Sequence, residues 1–223
     1  MEKKSMKKYK YVLFDLDGTL IYSHPGIYSC FRYALKKMGW TEMPDDTILR
    51  QCVGPSLMYS FANFFNMSEQ DAAKATAFYR EEYSRTGVRE NEPIDGAMEC
   101  LKALKQKGYK LALATSKPLF YAGQITQRLG FDKYLDVQVG SGMDGSLDTK
   151  ALVIAECIKQ LGADKQECLM VGDRKHDAEG AKTENVDCAM IKVGYAEEGE
   201  CEACAPEYIF NTFIELTDFL MKN

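Results

Sequence analysis

Two aspartates, two positions apart, follow a short apolar run near the start of the chain. In the stretch YVLFDLDGTL, Asp15 and Asp17 come directly after residues 11–14. Residues two apart on a strand point to the same side, so the two carboxylates are expected to lie together. Carboxylates this close repel each other unless a cation lies among them, and Mg²⁺ prefers oxygen ligands of this kind. The spacing therefore predicts a magnesium site at the end of a strand.

Three further apolar segments also lead into polar residues that suit binding or catalysis. One ends in Thr-Ser-Lys, the second runs into a glycine-rich loop and then a lysine, and the third leads into GDRKHD. The residues concerned are Thr115, Ser116, Lys117, Lys150, Asp173 and Asp177. In a parallel sheet, ligands bind beyond the carboxyl ends of the strands. We therefore expect one edge of the sheet to gather four carboxylates, a Thr-Ser pair and a lysine.

Short apolar segments alternate with amphipathic ones over the second half of the chain. Strands are predicted at residues 9–15, 110–116, 135–142, 168–173, 188–193 and 208–210, and helices at 97–107, 119–129, 151–161, 178–183 and 214–221. Regular strand–helix alternation is typical of parallel sheets with helices on both faces. The predicted fold class is therefore α/β, with a doubly wound parallel sheet.

The segment after the first strand has a different pattern of apolar residues. From about residue 20 to residue 91 the apolar residues recur at helical spacing, with no clear strand, and the turn-rich stretch NEPIDG follows. This pattern predicts an inserted α-helical domain at 20–91, with the core formed by 1–19 and 92–223. The aromatic residues at 59, 61, 64 and 65 are expected to form the core of the insert.

Composition narrows the classes of partner. The chain has 223 residues, a formal net charge of −5 and a pI of about 5.3, so nothing favours nucleic acid or an anionic membrane. No signal peptide or membrane span is evident, and the eight cysteines suit a reducing compartment. A CxxC pair at Cys201 and Cys204 lacks a second pair for zinc. We expect a cytoplasmic monomer or dimer acting on a small metabolite.

The polar motifs also carry a resemblance to a known family. DLDGTL, ATSK, a lysine after a glycine-rich loop and GDRKHD occur in the order of the four motifs of the haloacid dehalogenase superfamily. The resemblance extends from Asp15 to Asp177 and so covers most of the predicted core. The GDRxxD form and the ENEPIDG stretch look like the phosphoglycolate phosphatase-like branch, in which a helical cap follows the first motif. The resemblance implies a Rossmann-like core with an inserted helical cap.

The resemblance implies a role for each motif residue. Asp15 is the nucleophile that forms an aspartyl-phosphate, and Asp17 protonates the leaving oxygen and then activates water. Lys150 neutralises the nucleophile and the phosphoryl group, with Lys117 as the rival for that role. The implied phosphate-binding residues are Thr115, Ser116 and Gly18. The implied Mg²⁺ site consists of Asp15, the Asp17 carbonyl, Asp173 and Asp177.

Three other residues are candidates for substrate contact, each with a structural alternative. Arg50 precedes VGPSL, which resembles the cap segment that faces the active site, but it is also typical of an exposed helix arginine. His24 lies in the hinge after the first motif, where a leaving-group contact and a packing role are equally compatible with the sequence. Arg174 belongs to the GDRKHD loop, which is solvated in the alternative interpretation.

Three functions are compatible with these motifs. The first is a Mg²⁺-dependent phosphatase for a small phosphomonoester, such as phosphoglycolate or a nucleotide. The second is a sugar-phosphate mutase, which uses the same pair of aspartates but usually lacks the GDRxxD form. The third is a non-catalytic regulator that keeps the fold, which a missing motif residue would indicate. Every motif residue is present, so the phosphatase is the favoured prediction.

Overall fold

The first strand, β1 (Tyr11–Phe14), lies inside a six-stranded sheet in the computed structural model, which describes residues 8–222. It pairs in parallel with β4 (Lys110–Pro118) on one side and with β6 (Cys168–Gly172) on the other. Residues 12–14 have no exposed surface, since neighbouring strands and helices cover both faces. Because both faces of this strand are covered, charged residues are unfavourable within it, and its two carboxylates come only after it ends.

The sheet has the order β5-β4-β1-β6-β7-β8, and all of its described pairs are parallel. The remaining strands are β5 (Val137–Ser141), β7 (Asp187–Ile191) and β8 (Tyr208–Phe210). The next strand of this sheet after β1 in the chain is β4, whereas the next after β6 is β7. These two strands lie in opposite directions along the sheet, away from the β1–β6 pair. Such a reversal opens a crevice at the carboxyl ends of the two strands, where ligands bind in folds of this kind.

The helices of this part of the chain follow the strands in alternation. They are α5 (Ala97–Lys107), α6 (Leu119–Leu129), α7 (Lys150–Leu161), α8 (Lys175–Glu184), α9 (Glu200–Ala203) and α10 (Phe213–Lys222). Apolar residues of α7 and α8 share one buried cluster with Leu13, Ala112 and Met170 of the sheet. Each helix of the described residues is too short or too polar to cross a bilayer.

The chain divides into two compact units. One contains the sheet and takes in the chain up to Leu20 and from Pro93 onward, and the other is Ile21–Glu92. The second unit contains α1 (His24–Lys37), α2 (Asp46–Gln51), α3 (Leu57–Phe64) and α4 (Glu69–Arg85). The short strands β2 (Ile21–Tyr22) and β3 (Glu92–Pro93) pair where the chain passes from one unit to the other.

Aromatic side chains form the centre of the helical unit. The Phe31 ring lies 5.0 Å from the ring centroids of both Phe61 and Tyr79, and 5.9 Å from that of Phe65. Tyr59, which we expected in this core, is 52% exposed. Two residues along a helix correspond to about 200° of rotation, so burial of Phe61 directs Tyr59 to the opposite face of α3.

The predicted α/β class and the parallel doubly wound sheet are confirmed, and most of the differences lie at the ends of elements. Helix α8 begins at Lys175, three residues before its predicted start, so Asp177 belongs to its first turn. Strand β4 continues to Pro118, two residues beyond the prediction, through an irregular register. The strand pair β2–β3 was missed because two-residue strands carry no detectable alternation.

Candidate active site

Asp15 follows directly after β1 and is buried between the ends of β4 and β6. Its backbone N–H donates to the Val171 carbonyl at 3.0 Å, which continues the ladder one residue beyond the strand. Only 8% of the residue is exposed. Burial raises the pKa of Asp15 to about 6; Lys150 opposes that rise and Asp177 adds to it. A buried carboxylate at this position has little contact with water.

Lys150 is the first residue of α7, and its ammonium group meets three oxygen atoms. Its Nζ lies 2.7 Å from Asp15 Oδ1, 2.9 Å from Asp177 Oδ1 and 3.0 Å from the Ala114 carbonyl oxygen. A helix N-terminus disfavours a cation, and burial lowers the pKa of this lysine. The two carboxylates outweigh both effects, so its pKa is raised overall and Lys150 carries a positive charge.

Asp173 follows β6 and is completely buried. Its Oδ2 accepts from the Tyr195 backbone N–H at 2.6 Å, and its Oδ1 accepts from Thr19 Oγ1 at 3.2 Å. Burial raises the pKa of Asp173 well above its ordinary value, and the nearby carboxylate of Asp177 raises it further. A Cβ on Gly18 would lie 2.3 Å from Asp173 Oδ2, so this carboxylate fits only beside a glycine.

Asp177 is placed by the first turn of α8. Its Oδ2 accepts from the backbone N–H of Arg174 at 3.1 Å, while its Oδ1 is the atom near Lys150. A Cβ on Gly172 would lie 2.2 Å from the Asp177 carboxyl carbon, so the glycine makes room for this carboxylate. The start of the helix therefore turns Asp177 back toward the end of β6.

Asp17 pairs with the second lysine of the site. Lys117 Nζ lies 2.9 Å from Asp17 Oδ1 and 2.8 Å from Oδ2, and both side chains are largely buried. The structure therefore gives one lysine to each of the two aspartates of the first motif. The sequence analysis leaves Lys117 and Lys150 as alternatives for a single role, whereas in the structure the two lysines contact different carboxylates.

The predicted phosphate-binding residues lie at the ends of β1 and β4. Thr115 is buried, and its Oγ1 accepts from the backbone N–H of Lys117 at 3.2 Å. The Ser116 carbonyl accepts from Ser141 Oγ at 2.8 Å, which holds the end of β4 against β5. Gly18 has a φ of +83°, a conformation that favours glycine, and it turns the chain immediately after Asp17.

The donor set fits a hard divalent cation. Carboxylate oxygens of Asp15, Asp173 and Asp177 lie within 4.8 Å of one another, and all three residues are buried. When the four motif aspartates are ionised, the two lysines that contact them leave a net charge of −2. Oxygen ligands and an excess of negative charge suit Mg²⁺, a hard divalent cation. The residues present therefore fit the predicted magnesium ion.

The three candidates for substrate contact lie in different surroundings. Arg174 Nε donates to Glu200 Oε1 at 2.9 Å, so its guanidinium group is engaged by α9 beside the site. His24 and Arg50 belong to the helical unit, where both are half-buried and the His24 ring lies 5.5 Å from that of Tyr28. A role in substrate binding stays a prediction for all three.

Three residues of the site were not identified from the sequence. Thr19 and Tyr195 hold Asp173, and a Cβ on Gly194 would lie 2.1 Å from the Gly18 carbonyl oxygen. Gly194 and Tyr195 follow β7 just as the motifs follow their strands. A rule that inspects every residue after a parallel strand would have found them, but a backbone N–H donor has no sequence signature of its own.

Known proteins are similar to this chain in sequence. Residues 12–191 match the family described as haloacid dehalogenase-like hydrolase. A 5'-nucleotidase from Pseudomonas aeruginosa is 36% identical over 201 residues, which cover 90% of each chain. Tyrosine-protein kinase PtkA from Mycobacterium tuberculosis is 36% identical over 184 residues, 82% of this chain and 62% of the kinase. Proteins named phosphoglycolate phosphatase also match.

A solved structure shares the fold over nearly the whole chain. It is a predicted phosphatase from Clostridium acetobutylicum, with a TM-score of 0.91 and 35% sequence identity. The match covers 97% of this chain and 100% of that chain. Similarity at this level extends over both the sheet and the helical insert.

Proposed function

The chain belongs to the haloacid dehalogenase-like hydrolase family, and we propose that it hydrolyses a small phosphomonoester with Mg²⁺ through an aspartyl-phosphate. The predicted family and the predicted phosphatase class are confirmed by its relatives. The observation that carries the finer proposal is the Asp15 carboxylate, which is buried against Lys150 and lies beside two further carboxylates. A nucleophile needs such a fixed and desolvated position.

In the first half-reaction, an oxygen of Asp15 attacks phosphorus and the ester P–O bond breaks. Asp17 gives its proton to the departing oxygen, which leaves as an alcohol. Lys150 stabilises the negative charge that spreads over the phosphoryl oxygens, because its charge is already fixed beside Asp15. Thr115 and the backbone N–H groups near Ser116 and Gly18 are proposed to hold those oxygens.

In the second half-reaction, Asp17 takes a proton from water and the water oxygen attacks phosphorus. The bond between Asp15 and phosphorus breaks, so the products are inorganic phosphate and the original carboxylate. The proton from water replaces the one that Asp17 gave to the alcohol in the first half-reaction. Atoms and charges balance over the cycle, with one ester bond and one water molecule consumed.

Mg²⁺ is proposed to bind to the carboxylates of Asp15, Asp173 and Asp177 and to the Asp17 carbonyl. When bound, the ion supplies positive charge that offsets the charge of the phosphoryl group and the surrounding carboxylates. Thr19 and Tyr195 orient Asp173 for this role through their two hydrogen bonds. The buried pair of Asp177 with Lys150 orients the third carboxylate in the same way.

We propose that the unit Ile21–Glu92 is the cap domain and supplies substrate specificity. Its candidates for substrate contact are His24 and Arg50, and Arg174 is the candidate from the sheet-containing unit. A nucleoside monophosphate and phosphoglycolate are the first substrates to examine, since relatives carry those names. A cytoplasmic location, with a small phosphorylated metabolite as the partner, completes the proposal.

The test is phosphate release from a panel of phosphomonoesters, with Mg²⁺ and with EDTA. The panel contains nucleoside monophosphates, phosphoglycolate, hexose phosphates and p-nitrophenyl phosphate. We expect release that requires Mg²⁺ and that Asp15→Asn abolishes. Asp218→Asn is the matched control, because it makes the same chemical change at an exposed position of α10 and should leave release unchanged.

Two results would contradict the phosphatase proposal. Isomerisation of a hexose phosphate that requires a bisphosphate activator would identify a mutase. Binding of Mg²⁺ or phosphate by a folded protein without turnover of any substrate would identify a regulator. Release that persists in Asp15→Asn would overturn the assignment of the nucleophile, even if the phosphatase activity itself is found.

A further inference from the structure

Lys117 makes a contact that the proposed chemistry above does not use. Its ammonium group lies within 2.9 Å of both carboxylate oxygens of Asp17, although the two residues are 100 positions apart. The side chains are 8% and 13% exposed. A charge-assisted contact to both oxygens restrains a carboxylate more strongly than a contact to one oxygen.

The backbone of β4 is irregular at the position of Lys117. Thr115 pairs with Gly140 and Pro118 pairs with Ser141, so two residues of β4 stand between adjacent positions of β5. Such a bulge changes the direction in which side chains leave a strand, and bulges are frequent beside active sites. A regular strand would place residue 117 on the same side as Thr115 and would leave no extra residues at the edge.

Neighbouring groups keep the bulge in one conformation. Ser141 Oγ donates to the Ser116 carbonyl at 2.8 Å, and the Lys117 backbone N–H donates to Thr115 Oγ1 at 3.2 Å. A Cβ on Gly140 would lie 2.5 Å from the Lys117 carbonyl oxygen, so the close approach requires a glycine. The position of the lysine is therefore determined by several independent contacts.

We propose that Lys117 is a positioning residue, which holds the Asp17 carboxylate toward the water that hydrolyses phosphorylated Asp15. The inference rests on the proposed function and assigns different roles to the two lysines of the site. Lys150 is proposed to act on the nucleophile and the phosphoryl group, whereas Lys117 acts on Asp17, the group that exchanges protons. Lys117 itself neither gives nor receives a proton in the reaction.

The contact matters most in the second half-reaction. There Asp17 must accept a proton from water at the moment when the water oxygen attacks phosphorus, so the carboxylate has to point at the water. In the first half-reaction a good leaving group, such as p-nitrophenolate, departs without protonation. Loss of Lys117 should therefore slow the removal of the phosphoryl group from Asp15 more than its transfer onto Asp15.

The experiment measures both half-reactions with p-nitrophenyl phosphate and Mg²⁺. Rapid acid quenching gives the fraction of enzyme that carries phosphate on Asp15, and p-nitrophenolate absorbance gives the burst and the steady rate. In Lys117→Met we expect a phosphorylated fraction near one, an intact burst and a steady rate lowered about tenfold to a hundredfold. Lys117→Arg, which keeps a two-point donor, should recover part of the rate.

A second comparison separates positioning from a general structural role. In the Asp17→Asn background, Lys117→Met should lower the steady rate no further, because the group through which the lysine acts is already lost. Lys165→Met is the matched control. It removes another lysine–carboxylate pair, the 2.7 Å pair with Glu184, at the opposite end of β6, and it should leave every rate unchanged.

The outcomes distinguish this inference from the proposed function. Equal slowing of both half-reactions in Lys117→Met, or a further loss in the Asp17→Asn background, would overturn the inference and leave the phosphatase intact. No phosphate release by the unmodified enzyme would overturn both. Should Lys117→Met fail to fold by circular dichroism, Lys117→Gln is measured in the same assay and judged by the same outcomes.

Discussion

At the scale of single residues, the site combines acids and bases that would be unfavourable if any one were buried alone. The Lys150 ammonium group contacts the buried carboxylates of both Asp15 and Asp177. Removal of one member from a buried ionic group leaves an uncompensated charge, which costs more than the intact group contributes. The same residues therefore affect both stability and activity.

Lys150→Met tests this dependence. Met has a similar length without the charge, so the variant should lose about 3–5 kcal/mol of unfolding free energy in the absence of Mg²⁺. Phosphate release should fall by a factor of about 10² or more, because charge at the phosphoryl group is lost. Chemical denaturation and the phosphate assay measure the two effects.

The comparison for Lys150→Met is again Lys165→Met, whose side chain is 45% exposed and pairs at the surface. Its unfolding free energy should change by less than about 1 kcal/mol. A Lys150→Met protein with normal stability would show that the buried carboxylates do not depend on the lysine. Normal activity would rule out its proposed role beside the phosphoryl group.

At the scale of elements, the two ends of the parallel strands have different roles. Most of the site residues lie at or just after the carboxyl ends of β1, β4 and β6, whereas Asp136, which directly precedes β5, connects elements at the opposite edge. The Asp136 carboxylate accepts from the Leu111 backbone N–H at 2.9 Å, and it also contacts Lys105 and Lys110. One side chain thus joins α5, β4 and β5.

The surroundings of Asp136 predict acid sensitivity at this junction. Burial raises its pKa, but the hydrogen bonds from Lys105, Leu111 and Lys110 outweigh that effect, so the pKa lies below its ordinary value. A lowered pKa contributes stability above the unfolded-state pKa of about 3.9, and that contribution is lost as pH falls through the folded-state pKa. Asp136 therefore stabilises the fold at neutral pH.

Asp136→Asn should lower the unfolding free energy by about 1 kcal/mol at pH 7, because the amide keeps the backbone bond but loses the charge. The difference from the unmodified protein should shrink as the pH is lowered below about 4. Urea denaturation at several pH values measures this difference, with Asp218→Asn as the exposed control. A difference that is independent of pH would contradict an electrostatic role.

At the scale of the whole molecule, the proposed Mg²⁺ site predicts that stability increases when Mg²⁺ is added. A ligand that binds only the folded protein adds about 2.7 kcal/mol at a hundred times its dissociation constant. For a chain of this size we expect a rise of several degrees in the melting temperature. EDTA should reverse the rise, which calorimetry or circular dichroism measures without any substrate.

Asp173→Asn should abolish that rise in melting temperature. Asparagine keeps an oxygen that can accept from the Tyr195 backbone N–H, so the fold should persist while the charge is lost. Asp218→Asn should keep the full effect of Mg²⁺. A rise of equal size in Asp173→Asn would place the ion elsewhere on the protein.

The sequence alone predicted most of the fold, for reasons visible in particular elements. Helices α5 and α6 and strand β8 begin and end at the predicted residues, because Gly108 and Gly130 stop the two helices and apolar periods mark their buried faces. The start of α8 was misplaced, since KHD has no apolar residue to reveal a helical period. The helical spacing predicts Tyr59 in the core together with Phe61, but only the Phe61 face of α3 is buried and Tyr59 is exposed.

The sequence by itself therefore determined the family, the α/β class and the kinds of residue at the strand ends. Those properties depend on local periodicity and on motifs whose residues lie close together in the chain. Only the tertiary structure decided which lysine meets which aspartate. Lys150 reaches Asp15 across 135 positions and Lys117 reaches Asp17 across 100. Both pairings depend on strand order, and the pairing of Lys117 also depends on the irregular register of β4, because contacts between distant elements are fixed by register and not by local pattern.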